Sequence, residues 1–86
     1  MGKTFLIYRV KAKDMEKLEE CEKEIRGVKS GEVKDVQRDP IGFGVEMIKA
    51  GILVEEKQEG AIEAVTAELN SLESVEEAEL EGMTLL

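Results

Sequence analysis

Asp39-Pro40-Ile41-Gly42-Phe43-Gly44 stands between two segments that pattern as strands, and the rest of the chain is placed outward from it. The stretch holds the only proline of the 86 residues and one of only two phenylalanines. Pro40 fixes its own φ, offers no N–H to a ladder and biases Asp39 toward extended geometry. Gly42 and Gly44 accept backbone angles that other residues resist. The stretch therefore reads as a loop, with Phe43 held between two permissive positions. Two readings of Phe43 stand. The ring folds back and plugs the end of the core, or it is presented to a partner, since binding residues concentrate on loops held by a rigid scaffold.

After the loop, Val45 to Glu55 is the most apolar segment. Ile48, Ala50, Ile52 and Val54 share one face and Met47, Lys49, Gly51 and Leu53 the other, so a central strand is expected. Before the loop, Glu32 to about Arg38 reads as a short polar strand. Its apolar residues Val33 and Val36 are three apart, which breaks the alternation and predicts a bulge on an edge strand. Thr4 to Ala12 alternates as a first strand, with Leu6, Tyr8, Val10 and Ala12 inward and Phe5, Ile7, Arg9 and Lys11 outward. Asp14 is placed to cap a helix running to about Val28, with Met15, Leu18, Cys21, Ile25 and Val28 as its apolar stripe. Gln58-Glu59-Gly60 reads as a turn. A second helix from Gly60 to Leu72 buries Ile62, Val65, Leu69 and Leu72 and exposes Glu59, Glu63 and Glu68. Val75 to Thr84 is the last strand, with Ala78, Leu80 and Gly82 inward and Glu77, Glu79, Glu81 and Met83 outward.

The order β-α-β-β-α-β with two right-handed crossovers predicts a ferredoxin-like α+β sandwich. That architecture is a four-stranded antiparallel sheet in order 4-1-3-2 with both helices on one face, formed by a single domain over residues 1–86. Its first and last strands pair. One register sets Arg9 opposite Glu79, Lys11 opposite Glu77 and Phe5 opposite Met83, with Tyr8 beside Leu80 and Val10 beside Ala78 inside. This pairing accounts for a charge asymmetry. Residues 1–13 carry four bases and no acid, whereas residues 50–86 carry ten acids and only Lys57.

The net charge of −8 sets the chain against phosphate backbones, so no direct nucleic-acid partner is expected. The first and third strands also lack the paired aromatics of an RNA-binding sheet. There is no histidine, which removes a Ser-His-Asp triad. One cysteine excludes a cysteine-built zinc or iron–sulfur site and fits a reducing compartment. Cys21 is expected to be buried and inert. The glycines match neither GxxxxGK[ST] nor GxGxxG. No cofactor, metal or catalytic residue is expected, and the chain reads as something other than an enzyme. No apolar run approaches the roughly 20 residues that span a bilayer, the N-terminus makes a poor signal peptide, and no internal repeat stands out.

The run Asp39-Pro40-Ile41-Gly42-Phe43-Gly44-Val45, with the apolar strand and acidic helix that follow, resembles the exchange domain of translation elongation factor 1-beta. That family carries a Pro-Ile-(Ala/Gly)-Phe-Gly-(Leu/Ile) motif before its third strand. The ending Ser74-Val75-Glu76-Glu77-Ala78-Glu79-Leu80-Glu81-Gly82-Met83 resembles the family's last strand, and the short chain resembles the archaeal form. The resemblance implies a cytoplasmic guanine-nucleotide exchange factor that promotes GDP release and GTP loading on elongation factor 1-alpha, and is a monomer when free. It also implies that the Phe-bearing segment (Asp39, Pro40, Ile41, Gly42, Phe43, Gly44) and the C-terminal end (Met83, Thr84, Leu85, Leu86) face the GTPase; the ferredoxin-like topology is expected to set both at the same end of the sheet. Eukaryotic members place a lysine next to their last residue, where this chain has Leu85. The alternative is a small ferredoxin-like regulatory or oligomerisation module that uses the outer sheet face of Phe5, Ile7, Met47 and Leu53.

Overall fold

A computed structural model describes residues 2–55 and 60–85. Strand β1 (Lys3–Ala12) leads through a 3-10 turn (Met15–Lys17) into helix α1 (Leu18–Arg26). Strand β2 (Glu32–Gly42), strand β3 (Val45–Glu55), helix α2 (Ala61–Ser71) and strand β4 (Val75–Leu85) follow. The strands form one antiparallel sheet in order β2-β3-β1-β4, the expected arrangement read from its other edge. β3 is central and β2 and β4 are the two edges.

The helix starts differ from expectation in detail. Asp14 does cap: its carboxylate accepts from the Glu16 N–H at 2.9 Å. It caps a 3-10 turn, and the α-helix begins only at Leu18 and ends before Gly27, so Val28 is buried from the turn beyond. α2 starts after Gly60, whose φ of 77° needs the freedom of glycine. Its buried face is Ala61, Val65 and Leu69, with Ile62 and Leu72 partly covered. The expected turn at Gln58 and Glu59 lies outside the described residues.

The inward faces of β1 (Leu6, Tyr8, Val10) and β3 (Ile48, Ala50, Ile52) are fully buried against Cys21 and Ile25 of α1 and Val65 and Leu69 of α2. The core is aliphatic apart from Tyr8. That ring brings a hydroxyl with it, and the hydroxyl donates to the Ile62 carbonyl at 3.2 Å and lies 2.7 Å from Thr66 Oγ1. Burial raises the Tyr8 pKa, so the phenol stays a neutral donor. Cys21 is buried as expected, and burial raises its pKa too, which disfavours the thiolate.

On the opposite face Phe5 lies across Gly51 of the neighbouring strand. A Cβ built on Gly51 would come within 2.4 Å of Phe5 Cζ, so the ring occupies the space that any side chain would fill. Phe5, Ile7, Met47 and Leu53 are each half-buried on this face. Beside them Lys49 Nζ lies 3.7 Å from both Asp39 Oδ2 and Glu81 Oε1, and Arg9 Nη2 lies 3.7 Å from Glu81 Oε1.

The expected bulge in β2 is present, between Val33 and Asp35. β4 carries two further bulges, at Glu76 and Glu81. Arg9 lies opposite Glu79, Lys11 opposite Glu77, Val10 opposite Ala78 and Tyr8 opposite Leu80, as the charge pattern predicts. Beyond Tyr8 the extra residue Glu81 shifts the register by one, so Phe5 faces Thr84 and not Met83, which pairs with Leu6. The ion pairs follow the bulges: Arg9 reaches Glu81, and Lys11 reaches Glu76 at 3.3 Å.

Candidate partner-docking surface

Strand β2 runs further into the Pro-Ile-Gly-Phe-Gly stretch than its glycines predict, with a second bulge at Ile41. Asp39, Pro40, Ile41 and Gly42 belong to β2, with Asp39 opposite Met47 and Pro40 opposite Glu46. This corrects the reading of Asp39 to Gly44 as a loop. β2 is an edge strand whose outer side makes no ladder, so the missing N–H of Pro40 does not interrupt the pairing. Gly42 pairs with Val45, leaving Phe43-Gly44 as a two-residue hairpin turn. Phe43 and Gly44 both have positive φ, 55° and 75°, the mirror-image turn that matches the twist of a hairpin. Gly42, at 104°, is positive as well.

Phe43 is the only non-glycine residue with positive φ among the described residues. A bulky side chain in the left-handed region is uncommon and costs on the order of 1–2 kcal/mol. Its exposure is 106% of the reference value, so the ring touches nothing that would offset that cost. Ile41, two residues back, is also exposed. The plug reading of Phe43 is therefore excluded: the hairpin holds an aromatic ring in solvent on a backbone that disfavours it.

A second apolar patch lies on β4. The Glu81 bulge flips the residues after it, so Met83 and Leu85 lie on the helix side of the sheet, opposite Leu6 and Thr4. Leu80 shares that side, opposite Tyr8, and α2 leaves it 40% exposed, where alternation alone predicts it buried. Met83 and Leu85 are exposed, with Thr84 on the other face. Leu86 lies outside the described residues. Leu80 is thus a member of this patch that the sequence reading missed, and no apolar marker in the glutamate-rich strand signals the slip.

The two patches do not share one end of the sheet. β1 and β2 run the same way, so the hairpin lies beyond the Val10 end of β1, whereas Leu85 pairs with Thr4. The expectation that one end holds both is corrected, because antiparallel pairing of β4 with β1 carries the C-terminal strand away from the hairpin. The molecule is 42 Å along its longest axis, so the patches are spread along its length. Arg38 braces the hairpin arm against α1, with Nη2 2.6 Å and Nε 2.7 Å from Glu22 Oε1. Among the described residues no group of three or more histidine, cysteine or acidic side chains is arranged to hold a metal. No helix among them is long and apolar enough to cross a membrane.

The scaffold is ferredoxin-like, with one exposed aromatic ring on a left-handed backbone at the hairpin tip and a second exposed apolar patch on β4. Residues 5–86 match the EF-1 guanine nucleotide exchange domain, and the chain belongs to that family. An elongation factor 1-beta of Methanosphaerula palustris is 34% identical over 85 residues, covering 99% of both chains. Another from Methanoregula boonei is 34% identical over 87 residues, again covering 99% of both. A third, from Methanospirillum hungatei, is 41% identical over 54 residues, covering 63% of this chain and 62% of its own. These relatives are archaeal translation factors. The family works by nucleotide exchange on a partner and not by catalysis of its own.

Proposed function

We propose that this chain is the guanine-nucleotide exchange factor for elongation factor 1-alpha, promoting GDP release and GTP loading in the cytoplasm. The observation that carries the reading is Phe43, fully exposed on a left-handed backbone at the tip of the family's Pro-Ile-Gly-Phe-Gly segment. Strain of this kind persists where function requires it. Aromatic anchors buried at an interface carry a large share of its binding energy.

The hairpin residues Asp39 to Gly44 and the terminal segment Met83 to Leu86 form the two docking elements, joined on β4 by Leu80. Exchange requires that the factor bind the nucleotide-free GTPase more tightly than the GDP-bound form, since a ligand shifts an equilibrium only by its differential affinity. Leu85 brings no charge where eukaryotic members of the family place a lysine, so GDP displacement works through sterics and distortion of the GTPase rather than through competition with a bound cation. The test is GDP release from purified elongation factor 1-alpha loaded with a fluorescent nucleotide. The chain accelerates release in proportion to its concentration. Release at the intrinsic rate, with no complex formed on the nucleotide-free GTPase, overturns the reading.

A further inference from the structure

The two helices and the turns after them share a spacing that residue identity hides. Cys21, Glu24, Ile25, Val28 and Ser30 recur 44 positions on as Val65, Glu68, Leu69, Leu72 and Ser74. The apolar members change type and keep their place, which is why no repeat stands out in the sequence. The glutamate and the serine are kept unchanged.

The structure puts both pairs to use, and it crosses them. Glu24 on α1 reaches the turn before β4, where its Oε1 accepts from the Ser74 N–H at 3.1 Å and the Ser74 hydroxyl at 2.7 Å. Glu68 on α2 reaches the turn before β2. It accepts from the Ser30 hydroxyl, from the Ser30 N–H at 2.9 Å and from the Lys29 N–H at 3.2 and 3.0 Å through its two oxygens. Each helix thus grips the root of the strand that belongs to the other β-α-β half. These two strands are the sheet edges, and their far ends carry the hairpin tip and the β4 patch.

We propose that Glu24 and Glu68 form a reciprocal pair of acid-released latches, each pinning the root of one docking strand. That the pinned strands dock a partner rests on the functional reading above; the latches do not depend on it. A carboxylate that accepts several hydrogen bonds is favoured in its charged form. Protonation removes an acceptor and places a hydrogen where donors already point. The Ser74 hydroxyl, then its N–H, holds Glu24 below the ordinary range, and nearby Lys13 acts in the same direction. The Ser30 hydroxyl is the main cause for Glu68, helped by the Lys29 and Ser30 amides and the Lys29 charge. Cys21, Asp14, Lys17, Glu20 and Glu73 also border the Glu24 site, and Lys3, Glu32 and Glu55 border the Ser30 turn. Both folded-state pKa values are lowered, so the latches add stability above the ordinary glutamate range and lose it as pH falls through the lowered values.

Amide NMR of the free protein, titrated from about pH 7 to about pH 3, tests this directly. The Lys29 and Ser30 amides are expected to move together, the Ser74 amide to move separately, and both midpoints to fall below the ordinary glutamate range. Glu68→Gln keeps the size of the side chain and abolishes the Lys29 and Ser30 transitions while leaving that of Ser74; Glu24→Gln does the reverse. Amides that fail to titrate, or that titrate unchanged in the matching variant, overturn the proposal. The measurement involves no GTPase, so a failed exchange assay leaves it standing and a failed titration leaves the exchange reading standing.

Discussion

Phe43 joins two features that rarely meet: a left-handed backbone and a ring fully in solvent. Asparagine tolerates that backbone better than phenylalanine. Phe43→Asn is therefore expected to raise stability by up to about 1 kcal/mol, read as a higher urea midpoint at unchanged slope. A fall of more than about 1 kcal/mol would mean that the ring packs after all. Gly51 is the opposite case, a residue whose missing side chain matters because Phe5 fills its place. Gly51→Ala is expected to cost about 1–3 kcal/mol by overpacking. Phe5→Ala in the same chain should recover part of that cost, and a double variant no better than the single one would show that the contact is not the cause. At this scale the sequence exposes Phe43, Pro40 and the capping role of Asp14, because each has a property that few other residues share. The partners of Glu24 and Glu68 are invisible there, since they lie in turns 50 and 38 positions away.

The elements were legible as far as their faces alternate. β1 and β3 alternate without interruption, so every residue expected inside them is buried. β4 does not, because the extra residue at Glu81 moves Met83 and Leu85 to the other face and leaves Leu80 at the rim. Glutamates at 76, 77, 79 and 81 suit either side of a solvated edge, so nothing in them marks where the register slips. The pattern ends β2 too early for a related reason: Pro40 reads as a stop in a central strand, yet an edge strand passes through it. The bulge also relocates the ion pair, from the facing Glu79 to Glu81. A double-mutant cycle on Arg9 and Glu81 is expected to show coupling below about 1 kcal/mol, as an exposed pair should. The cycle on Arg9 and Glu79 should show less; the reverse order would place the bulge elsewhere.

For the whole molecule, the element order and the opposing charges of the first and last strands were enough to specify the sheet. The relation between the two exposed apolar patches was not, because it depends on the direction in which each edge strand runs. The fold presents the hairpin at one end of a 42 Å body and the β4 patch toward the other, and among the described residues no cluster of metal-binding side chains is assembled. The proposed exchange function rests on what the hairpin tip contacts. The most direct measurement is GDP release from elongation factor 1-alpha by Phe43→Ala at sub-saturating concentration, alongside its melting temperature. An interface anchor worth about 2 kcal/mol predicts release slowed about 30-fold with the melting temperature unchanged. A lowered melting temperature with normal release per folded molecule would contradict the account.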